Sequence, residues 1–300
     1  MTVSVTDDNW GVEGLVIALR ELRLQSLEQR RRRHQPPRLP SRKVLAQIVE
    51  QLGAVMFPNR LGALELNEAG VDYFVGHTLD TALRQLHKQL ALELNFVAEE
   101  QGLSIDAKTN AAQITREFAQ FLPNIRVLID SDIQAAYEGD PAARTPDEVL
   151  VCYPGIVAVI HHRLAHELYK LGAPLVARMI AEIAHSLTGI DIHPGAQIAD
   201  SFFIDHGTGV VIGETAIIGR NVRLYQAVTL GAKRFEKDED GILVKGNARH
   251  PIVEDNVVIY AGATILGRIT IGEGSTIGGN VWLTHSVAAN SHISQAQTQS

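Results

Sequence analysis

Five side chains that bind or transfer protons lie within the segment 190–219. They are Asp191, His193, Asp205, His206 and Glu214. Asp191 and His206 are 15 residues apart, so a chain that coils with a period near that length brings them together as an Asp–His pair. A paired carboxylate raises the basicity of a histidine and fixes its tautomer. The spacing therefore predicts a histidine that accepts a proton.

A six-residue hydrophobic period indicates the elements that position these residues. One row of apolar residues consists of Ile192, Ile198, Ile204, Val210, Ala216, Val222 and Val228. A companion row lies two residues further on, and the period resumes from Val253 to Leu283. Such a repeat is typical of a parallel β-helix of hexapeptides, in which apolar residues point inward and Gly or Asn take the corners.

His206 falls on the companion row, on which Ile212 and Ile218 follow. The six-residue period therefore predicts that the imidazole of His206 occupies an inward position, which packing alone would fill with an aliphatic side chain. A core histidine satisfied by a neighbouring group is the structural alternative to a catalytic one.

The segment 232–251 does not fit the coil, because Leu230 and Val253 are 23 positions apart, which is not a multiple of six. The sequence predicts a loop that leaves the coil and returns with Arg249 and His250. Loops on rigid scaffolds often carry binding residues.

The first half of the chain has a helical period instead. Apolar residues recur three and four positions apart up to about Ser186. We therefore predict an α+β chain with a helical domain over 1–187, a β-helix domain over 188–290 and a polar tail over 291–300. We expect residues 1–40 to be flexible, with a basic, proline-containing linker at 30–40.

Composition and charge argue against several classes of protein. The net charge of -7 disfavours a general nucleic-acid coat, which needs Lys and Arg to neutralise phosphates. An apolar stretch of about 18 residues, as a membrane span requires, is absent from the sequence, and Asp7 and Asp8 do not fit a basic secretory signal. The single cysteine, Cys152, cannot form an intramolecular disulfide. We expect a cytoplasmic protein without a nucleic-acid or membrane partner.

Several motifs together resemble the serine O-acetyltransferases, which are hexapeptide-repeat enzymes of cysteine biosynthesis. The matching segments are DIHPGAQI at 191–198, DHGTGVVIGETAIIG at 205–219, QAVTLGA at 226–232, RHP at 249–251 and the repeat at 259–283. The similarity extends upstream to Asp140 and covers about half of the chain. DIHP, DHGTG and RHP in this order are far more specific than the repeat glycines alone.

The resemblance implies that an acetyl group passes from acetyl-CoA to the hydroxyl of L-serine. At the matching positions, His206 is the general base and Asp191 is its partner. The small residues that match the acetyl-CoA groove are Gly231, Ala232, Ala261 and Gly262.

Four further residues match the positions that bind serine. Asp140 and Asp205 correspond to those that hold the ammonium group, and Arg249 and His250 to those that face the carboxylate. A turn or helix cap before Pro141 is the structural alternative for Asp140.

The resemblance also implies a left-handed coil and trimeric packing through its flat faces, giving either a homotrimer or a hexamer in which helical domains join two trimers. Many family members end in an isoleucine that docks into a cysteine synthase, whereas this chain ends in SQAQTQS. The resemblance therefore does not extend to that partner. No metal is expected.

Two other functions fit the same scaffold. One is a hexapeptide acyltransferase for another amino acid or a sugar. A sugar acceptor, however, has no ammonium and carboxylate groups for residues such as Asp140 and Arg249 to bind. The other is an inactive scaffold, which does not require His206. On one helix, His161, His162 and His166 have a spacing that allows metal binding, but the pattern lacks the Glu of HExxH and a third ligand, so helix packing or trimer contacts explain it better.

Overall fold

The computed structural model describes residues 10–29, 38–62, 68–234 and 246–295 of the 300-residue chain. Most of the predicted linker at 30–40, the tip of loop 232–251 and the end of the tail lie outside the described residues. In the described ranges, helices come first and short strands follow. The helices are α1 (Val12–Gln29), α2 (Arg42–Met56), α3 (Pro58–Leu61), α4 (Glu68–Gln101), α5 (Ala107–Gly139), α6 (Pro146–Cys152), α7 (Pro154–Lys170) and α8 (Pro174–Thr188).

The strands form three parallel sheets, to which the coils of the chain contribute in turn. Sheet A contains β1 (Asp191–Ile192), β4 (Val211–Ile212), β7 (Thr229–Gly231), β10 (Thr264–Leu266) and β13 (Trp282–Leu283). Sheet B contains β2 (Gln197–Ile198), β5 (Ile217–Ile218), β8 (Ile252–Val253) and β11 (Thr270–Ile271). Sheet C contains β3 (Phe203–Ile204), β6 (Arg223–Leu224), β9 (Val258–Ile259), β12 (Thr276–Ile277) and β14 (His292–Ile293). The predicted fold, a helical domain followed by a left-handed parallel β-helix, is confirmed.

The residues of the predicted inward row are all buried, but the row changes register at the first coil, which is longer than the second. Ile192 pairs with Ile212, twenty residues on, whereas Ile212 pairs with Leu230, eighteen residues on. The six-residue period placed Ile192 in one row with Val210. In the structure, the two extra residues of the first coil bring Ile192 into the row of Ile212 instead. They lie at the corner 205–210, between β3 and β4.

Loop 232–251 lies between β7 and β8. Leu230 pairs with Ile265, 35 residues on, so the chain makes one coil and a long excursion between these two strands. It returns with Ile252 stacked on Ile217.

A buried ion pair joins the helical domain to the β-helix. Asp132 of α5 and Arg163 of α7 are both buried, with Asp132 Oδ1 at 3.0 Å from Arg163 Nη2. Arg163 also donates to the carbonyl oxygens of Ile198 and Ala199, and Asp132 Oδ1 accepts from the backbone N–H of Phe202. The pair therefore fixes α5 and α7 against the first coil.

The histidines of α7 pack in the interior of the protein. The Nδ1–H of His161 donates to the carbonyl oxygen of Val157, and the Nδ1–H of His166 donates to that of Pro194. His162 is 2% exposed, and its Nδ1 has no hydrogen-bond partner among the described residues. Burial lowers the pKa of all three rings, most strongly that of His162. These histidines belong to the packing of the helix, in agreement with the structural alternative.

We expect the protein to lose stability as the pH falls below about 6.5, the pKa of an unfolded histidine. The unfolded chain then binds more protons than the folded one, in which His162 is held neutral, so acid favours unfolding. One pH unit below that point, a histidine that stays neutral contributes about 1.4 kcal/mol of this loss. Urea unfolding at about pH 7.5 and about pH 5.5 measures it.

The His162→Leu variant isolates the contribution of this ring, because leucine cannot titrate and Nδ1 has no bond to lose. Its stability should depend less on pH than that of the native protein. Equal pH dependence in the two proteins would show that His162 is not held neutral.

In the described part of the chain, no single helix is long and apolar enough to cross a membrane. Helices α6 and α7 meet the length and composition criteria only as a pair, and they are bent by 76° at their junction.

Candidate active site

The predicted site residues fall into two groups at different corners of the β-helix. We call the first group the acidic corner: Asp140, Tyr153, Asp205, His206 and Arg223. It lies where the chain passes from sheet C to sheet A, next to the end of α5 and the start of α7. We call the second group the arginine corner: Tyr169, Glu214, Thr215, Arg249 and His250. It lies where the chain passes from sheet A to sheet B.

Asp140 lies at the acidic corner because α5 ends at Gly139 and Asp140 caps it. Its Oδ2 accepts from the hydroxyl of Tyr153 at 2.5 Å, and its Oδ1 accepts from the N–H of Ala142 at 2.8 Å. These two hydrogen bonds, led by that of Tyr153, lower the pKa of Asp140, and the hydrogen bond to Asp140 raises the pKa of Tyr153 to about 12. The cap expected as the structural alternative is therefore present, and the carboxylate is ionised at neutral pH.

Asp205 is buried and already holds a cation of the same chain. Its Oδ2 accepts from Arg223 Nη2 at 2.5 Å. Its Oδ1 lies 3.8 Å from His206 Nε2, which is too long for a hydrogen bond. The carboxylate thus lies between a tightly bound guanidinium and an unbound imidazole.

His206 does not occupy an inward position, and in this the prediction was wrong. Its side chain is 71% exposed, because the two extra residues of the first coil place it on the corner rather than in the row of Ile212. Its φ of 59° lies in the left-handed region, which a non-glycine residue adopts at a cost in energy. An exposed imidazole on a constrained corner fits a reacting group better than a packing residue.

The structure does not join Asp191 to His206 by a hydrogen bond within the described chain. Asp191 instead lies near Glu182 and His185 of α8, and the ligand atoms of these three residues are all within 4.8 Å of one another. Glu182 is already paired with Arg178 at 2.8 Å. The role of Asp191 as the partner of His206 stays a prediction.

Arg249 is anchored at the arginine corner by a carboxylate. Its Nη2 donates to Glu214 Oε2 at 2.7 Å, and the hydroxyl of Tyr169 donates to Glu214 Oε1 at 3.1 Å. Burial opposes ionisation of Glu214, but the hydrogen bonds from Arg249 and Tyr169 outweigh it and lower the pKa of the carboxyl. The orientation of Arg249 is therefore set before any ligand binds.

His250 is held as a neutral hydrogen-bond donor. The N–H of Thr215 donates to its Nδ1 at 3.0 Å, so the proton of the neutral ring resides on Nε2. Burial, together with the charge of Arg249, lowers the pKa of His250 to about 4. The Nε2 edge of the ring lies over Gly213, where an added Cβ would meet Nε2 at 2.1 Å. A side chain at position 213 would therefore displace the ring.

The residues predicted to line the acetyl-CoA groove are divided between the same two edges of sheet A. Ala261 and Gly262 lie at the corner between β9 and β10, on the edge that carries His206, and Gly262 has a φ of 71°. Gly231 and Ala232 lie at the end of β7, on the edge that carries Glu214. An added Cβ at Gly262 would meet Asn280 Oδ1 at 2.2 Å, and one at Gly231 would meet Leu266 Cδ2 at 2.9 Å. The space beside both glycines is thus occupied by neighbouring side chains, and both glycines are half-buried.

One curated relative covers almost the whole chain. The protein named "Serine acetyltransferase, plasmid" from Synechococcus elongatus is 55% identical over 296 residues, which is 97% of this chain and 93% of that protein. The chain belongs to the serine acetyltransferase family. A serine acetyltransferase of Mycobacterium tuberculosis is 56% identical over 149 residues, which is 50% of this chain and 61% of that protein.

Solved structures of the serine acetyltransferase family share the fold. Serine acetyltransferase 1 of Entamoeba histolytica in complex with L-cysteine superposes with a TM-score of 0.72, at 37% identity, over 83% of this chain and 86% of that one. The Neisseria gonorrhoeae serine acetyltransferase in complex with serine superposes with a TM-score of 0.54, at 27% identity, over 84% and 94% of the two chains. The model of the bacterial transferase hexapeptide (six repeats) matches residues 250–285. The predictions of family and enzyme class, an acyltransferase, are confirmed.

The structure adds four residues to those that the family motifs indicated. Tyr153 and Arg223 hold the two aspartates of the acidic corner, and Tyr169 and Thr215 hold Glu214 and His250. A weak signal for Arg223 exists in the sequence, since it follows Asp205 by 18 residues, close to the length of one coil, which is 20 residues at this point. That signal depends on knowing how successive coils stack, which the motifs do not show.

Proposed function

We propose that this serine acetyltransferase family member transfers the acetyl group of acetyl-CoA to the hydroxyl of L-serine and releases O-acetyl-L-serine and CoA. The observation that carries the proposal is the exposed imidazole of His206 on a constrained corner, next to the ionised Asp140 and the carboxyl group of Asp205. Two carboxylates beside a free base suit a substrate that carries both an ammonium and a hydroxyl group.

In this proposal His206 takes the proton of the serine hydroxyl while the oxygen attacks the thioester carbonyl. The new C–O bond gives a tetrahedral oxyanion, whose collapse breaks the C–S bond. The imidazolium of His206 then returns the proton to the leaving CoA thiolate. A positioned base contributes about 10²- to 10⁴-fold to such a step.

The serine site is completed by two chains, because one chain does not bring its halves together. Residues 210–214 separate the two corners by about 13 Å at ~3.3 Å per residue, which is more than a serine molecule spans. A closed ring of three chains joins one edge of each chain to the other edge of the next. In such a trimer, Asp140, Asp205 and His206 of one chain face Arg249 and His250 of its neighbour.

Acetyl-CoA is the acetyl donor in this proposal, and membership of the serine acetyltransferase family supports it. The half-buried Gly231 and Gly262 are the glycines that the family motifs match to its groove. Both glycines lie on the edges of sheet A that meet in the proposed trimer. The second association, of two trimers into a hexamer, and the cytoplasmic location stay predictions.

The experiment that tests the activity is release of free CoA thiol by the purified protein. Acetyl-CoA is supplied with L-serine and, in parallel, with L-homoserine, L-threonine or glucosamine. We expect release with L-serine and little with the other acceptors. Preference for glucosamine would identify a sugar acyltransferase, and silence with every acceptor would indicate an inactive scaffold.

The Gly213→Ala variant is expected to raise the KM for L-serine about tenfold or more, since a hydrogen bond to a charged group is worth about 1.5–3 kcal/mol. The added methyl group pushes the ring of His250 away from the position where Nε2 meets the serine carboxylate. Steady-state kinetics with varied L-serine measure the change, and kcat should fall less than KM rises.

Gly76→Ala is the matched control for this substitution. Gly76 lies in α4, and an added Cβ there meets nothing within 4 Å. Its KM should equal that of the native protein. An unchanged KM in Gly213→Ala as well would remove His250 from the carboxylate site.

A further inference from the structure

Tyr153 connects the two carboxylates of the acidic corner, which belong to different parts of the fold. Asp140 follows the last residue of α5 in the helical domain, whereas Asp205 lies in the first coil, directly after β3. Tyr153 precedes α7, and its hydroxyl donates to Asp140 Oδ2 at 2.5 Å. The orientation of the Asp140 carboxylate therefore depends on where the start of α7 places this hydroxyl.

The start of α7 is itself fixed against the first coil. Gly155 packs so closely on β3 that an added Cβ would meet the carbonyl oxygen of Ile204 at 2.3 Å. Ile204 immediately precedes Asp205 in the chain. Tyr153 thus lies two residues from a close contact with the coil, and its hydroxyl reaches Asp140. A tyrosine side chain transmits such a position well, because it has only two rotatable bonds and a rigid ring.

The hydrogen bonds at the acidic corner leave acceptor sites that suit an ammonium group. An ionised carboxylate has about four lone-pair sites on its two oxygens. Tyr153 and the N–H of Ala142 each take one site of Asp140, on Oδ2 and Oδ1 respectively. Arg223 binds Oδ2 of Asp205, and within the described chain no hydrogen bond reaches its Oδ1. Both carboxylates thus keep acceptor sites for the three N–H donors of a primary ammonium group.

The donor and the acceptor of the Tyr153–Asp140 hydrogen bond keep these roles at neutral pH. The bond raises the pKa of Tyr153 to about 12, so the hydroxyl keeps the proton that it donates. The same bond is the largest cause of the lowered pKa of Asp140, so the carboxyl group stays ionised. A hydrogen bond to an ionised acceptor is about twice as strong as one between neutral groups.

We propose that Tyr153 is a positioning residue, which holds the Asp140 carboxylate so that it and Asp205 bind the same primary ammonium group of the acceptor. The proposal rests on the proposed function, in which that acceptor is L-serine. Tyr153 acts through Asp140 and does not itself contact the substrate. A second bond anchors the end of α5, since Arg223 Nη1 donates to the Gly139 carbonyl at 2.6 Å. Removal of the Tyr153 hydroxyl therefore releases one carboxylate oxygen and leaves the end of the helix in place.

The Tyr153→Phe variant tests this role with two acceptors. L-Serine carries the ammonium group, and 3-hydroxypropionate is the same molecule without it. We expect kcat/KM for L-serine to fall about tenfold, chiefly through a higher KM, because the lost hydrogen bond is one to a charged group. The kcat/KM for 3-hydroxypropionate, lower in the native protein, should not change. Equal losses with both acceptors, or no loss with L-serine, would overturn the proposal.

A double-mutant cycle shows whether Tyr153 acts through Asp140. In an Asp140→Asn background, Tyr153→Phe should cause no further loss with L-serine, because the charged acceptor of the hydroxyl is already absent. A further tenfold loss in that background would contradict the proposal. Tyr73→Phe is the matched control, since it removes an exposed hydroxyl on α4, and it should leave the kinetic constants unchanged.

Calorimetric binding of L-serine separates this proposal from the proposed activity, because it requires no acetyl-CoA. We expect the Kd for L-serine to rise about tenfold in Tyr153→Phe. Such weakened binding in a protein that does not acetylate L-serine would support the role of Tyr153 and refute the activity. An equal Kd in an active protein would refute the role alone. A native protein that neither binds nor acetylates L-serine would refute both.

Discussion

Replacing His206 with alanine is expected to lower kcat for L-serine by about two to four powers of ten, the usual contribution of a positioned general base. The side chain is 71% exposed, and its 3.8 Å approach to Asp205 is too long for a hydrogen bond, so its removal leaves no cavity in the core. Thermal stability and oligomeric state should therefore remain those of the native protein. Initial rates of CoA release, together with size-exclusion chromatography, measure both quantities.

His285→Ala is the control for this substitution, because His285 is also exposed but lies at the far end of the β-helix, beyond β13. Its kcat should be unchanged. A His206→Ala protein that acetylates L-serine at the native rate would exclude the imidazole as the base. A His206→Ala protein that fails to fold would instead indicate that His206 is a structural histidine satisfied by a neighbouring group.

The β-helix could be predicted from the sequence because its period is local. An aliphatic residue at every sixth position is needed wherever a strand of the coil turns its side chain inward, and Ile212, Ile218 and Leu224 each meet that need in the structure. The helical half was predictable for the same reason, since α2, α5 and α7 each bury residues at helical spacing.

The first coil was less predictable because its two extra residues lie at a corner, where the pattern carries no hydrophobic signal. A strict six-residue period, continued through the corner 205–210, therefore predicted that His206 points into the coil. The motif DHGTG marked the same residues as a site, and the structure shows why: the longer corner carries the imidazole outward. The outward position of His206 agrees with the motif, and its role in the site stays a prediction.

The contacts within the site depend on stacking between coils and on the helical domain, which no single motif contains. Arg223 reaches Asp205 across one coil, and Tyr153 reaches Asp140 across the α5–α7 connection. The family resemblance implied which residues bind serine, but it did not show that Asp140 and Arg249 lie at different corners. That separation is the physical reason why we propose a site shared between chains.

The Asp132→Ala variant is expected to lower the free energy of unfolding by about 3–5 kcal/mol, the usual cost of removing one partner of a buried ion pair. Arg163 would stay buried without its counterion, and the N–H of Phe202 would lose its acceptor. Burial raises the pKa of Asp132, and Arg163 opposes that shift, so the two residues depend on each other for their charged forms. Urea unfolding followed by circular dichroism measures the loss.

Asp130→Ala is the matched control, since Asp130 lies two residues away on α5 and pairs with Arg126 at 3.0 Å on the surface. An exposed pair of this kind contributes about 0.3–0.5 kcal/mol. If both variants lost equally little, the buried pair would not hold the two domains together. If only Asp132→Ala unfolds at a lower urea concentration than the native protein, the KM of its folded fraction for L-serine should also rise. The reason is that α5 carries Asp140 to the acidic corner, and the first coil carries Asp205. The ion pair would then stabilise the fold and align the two carboxylates that the proposed substrate binds.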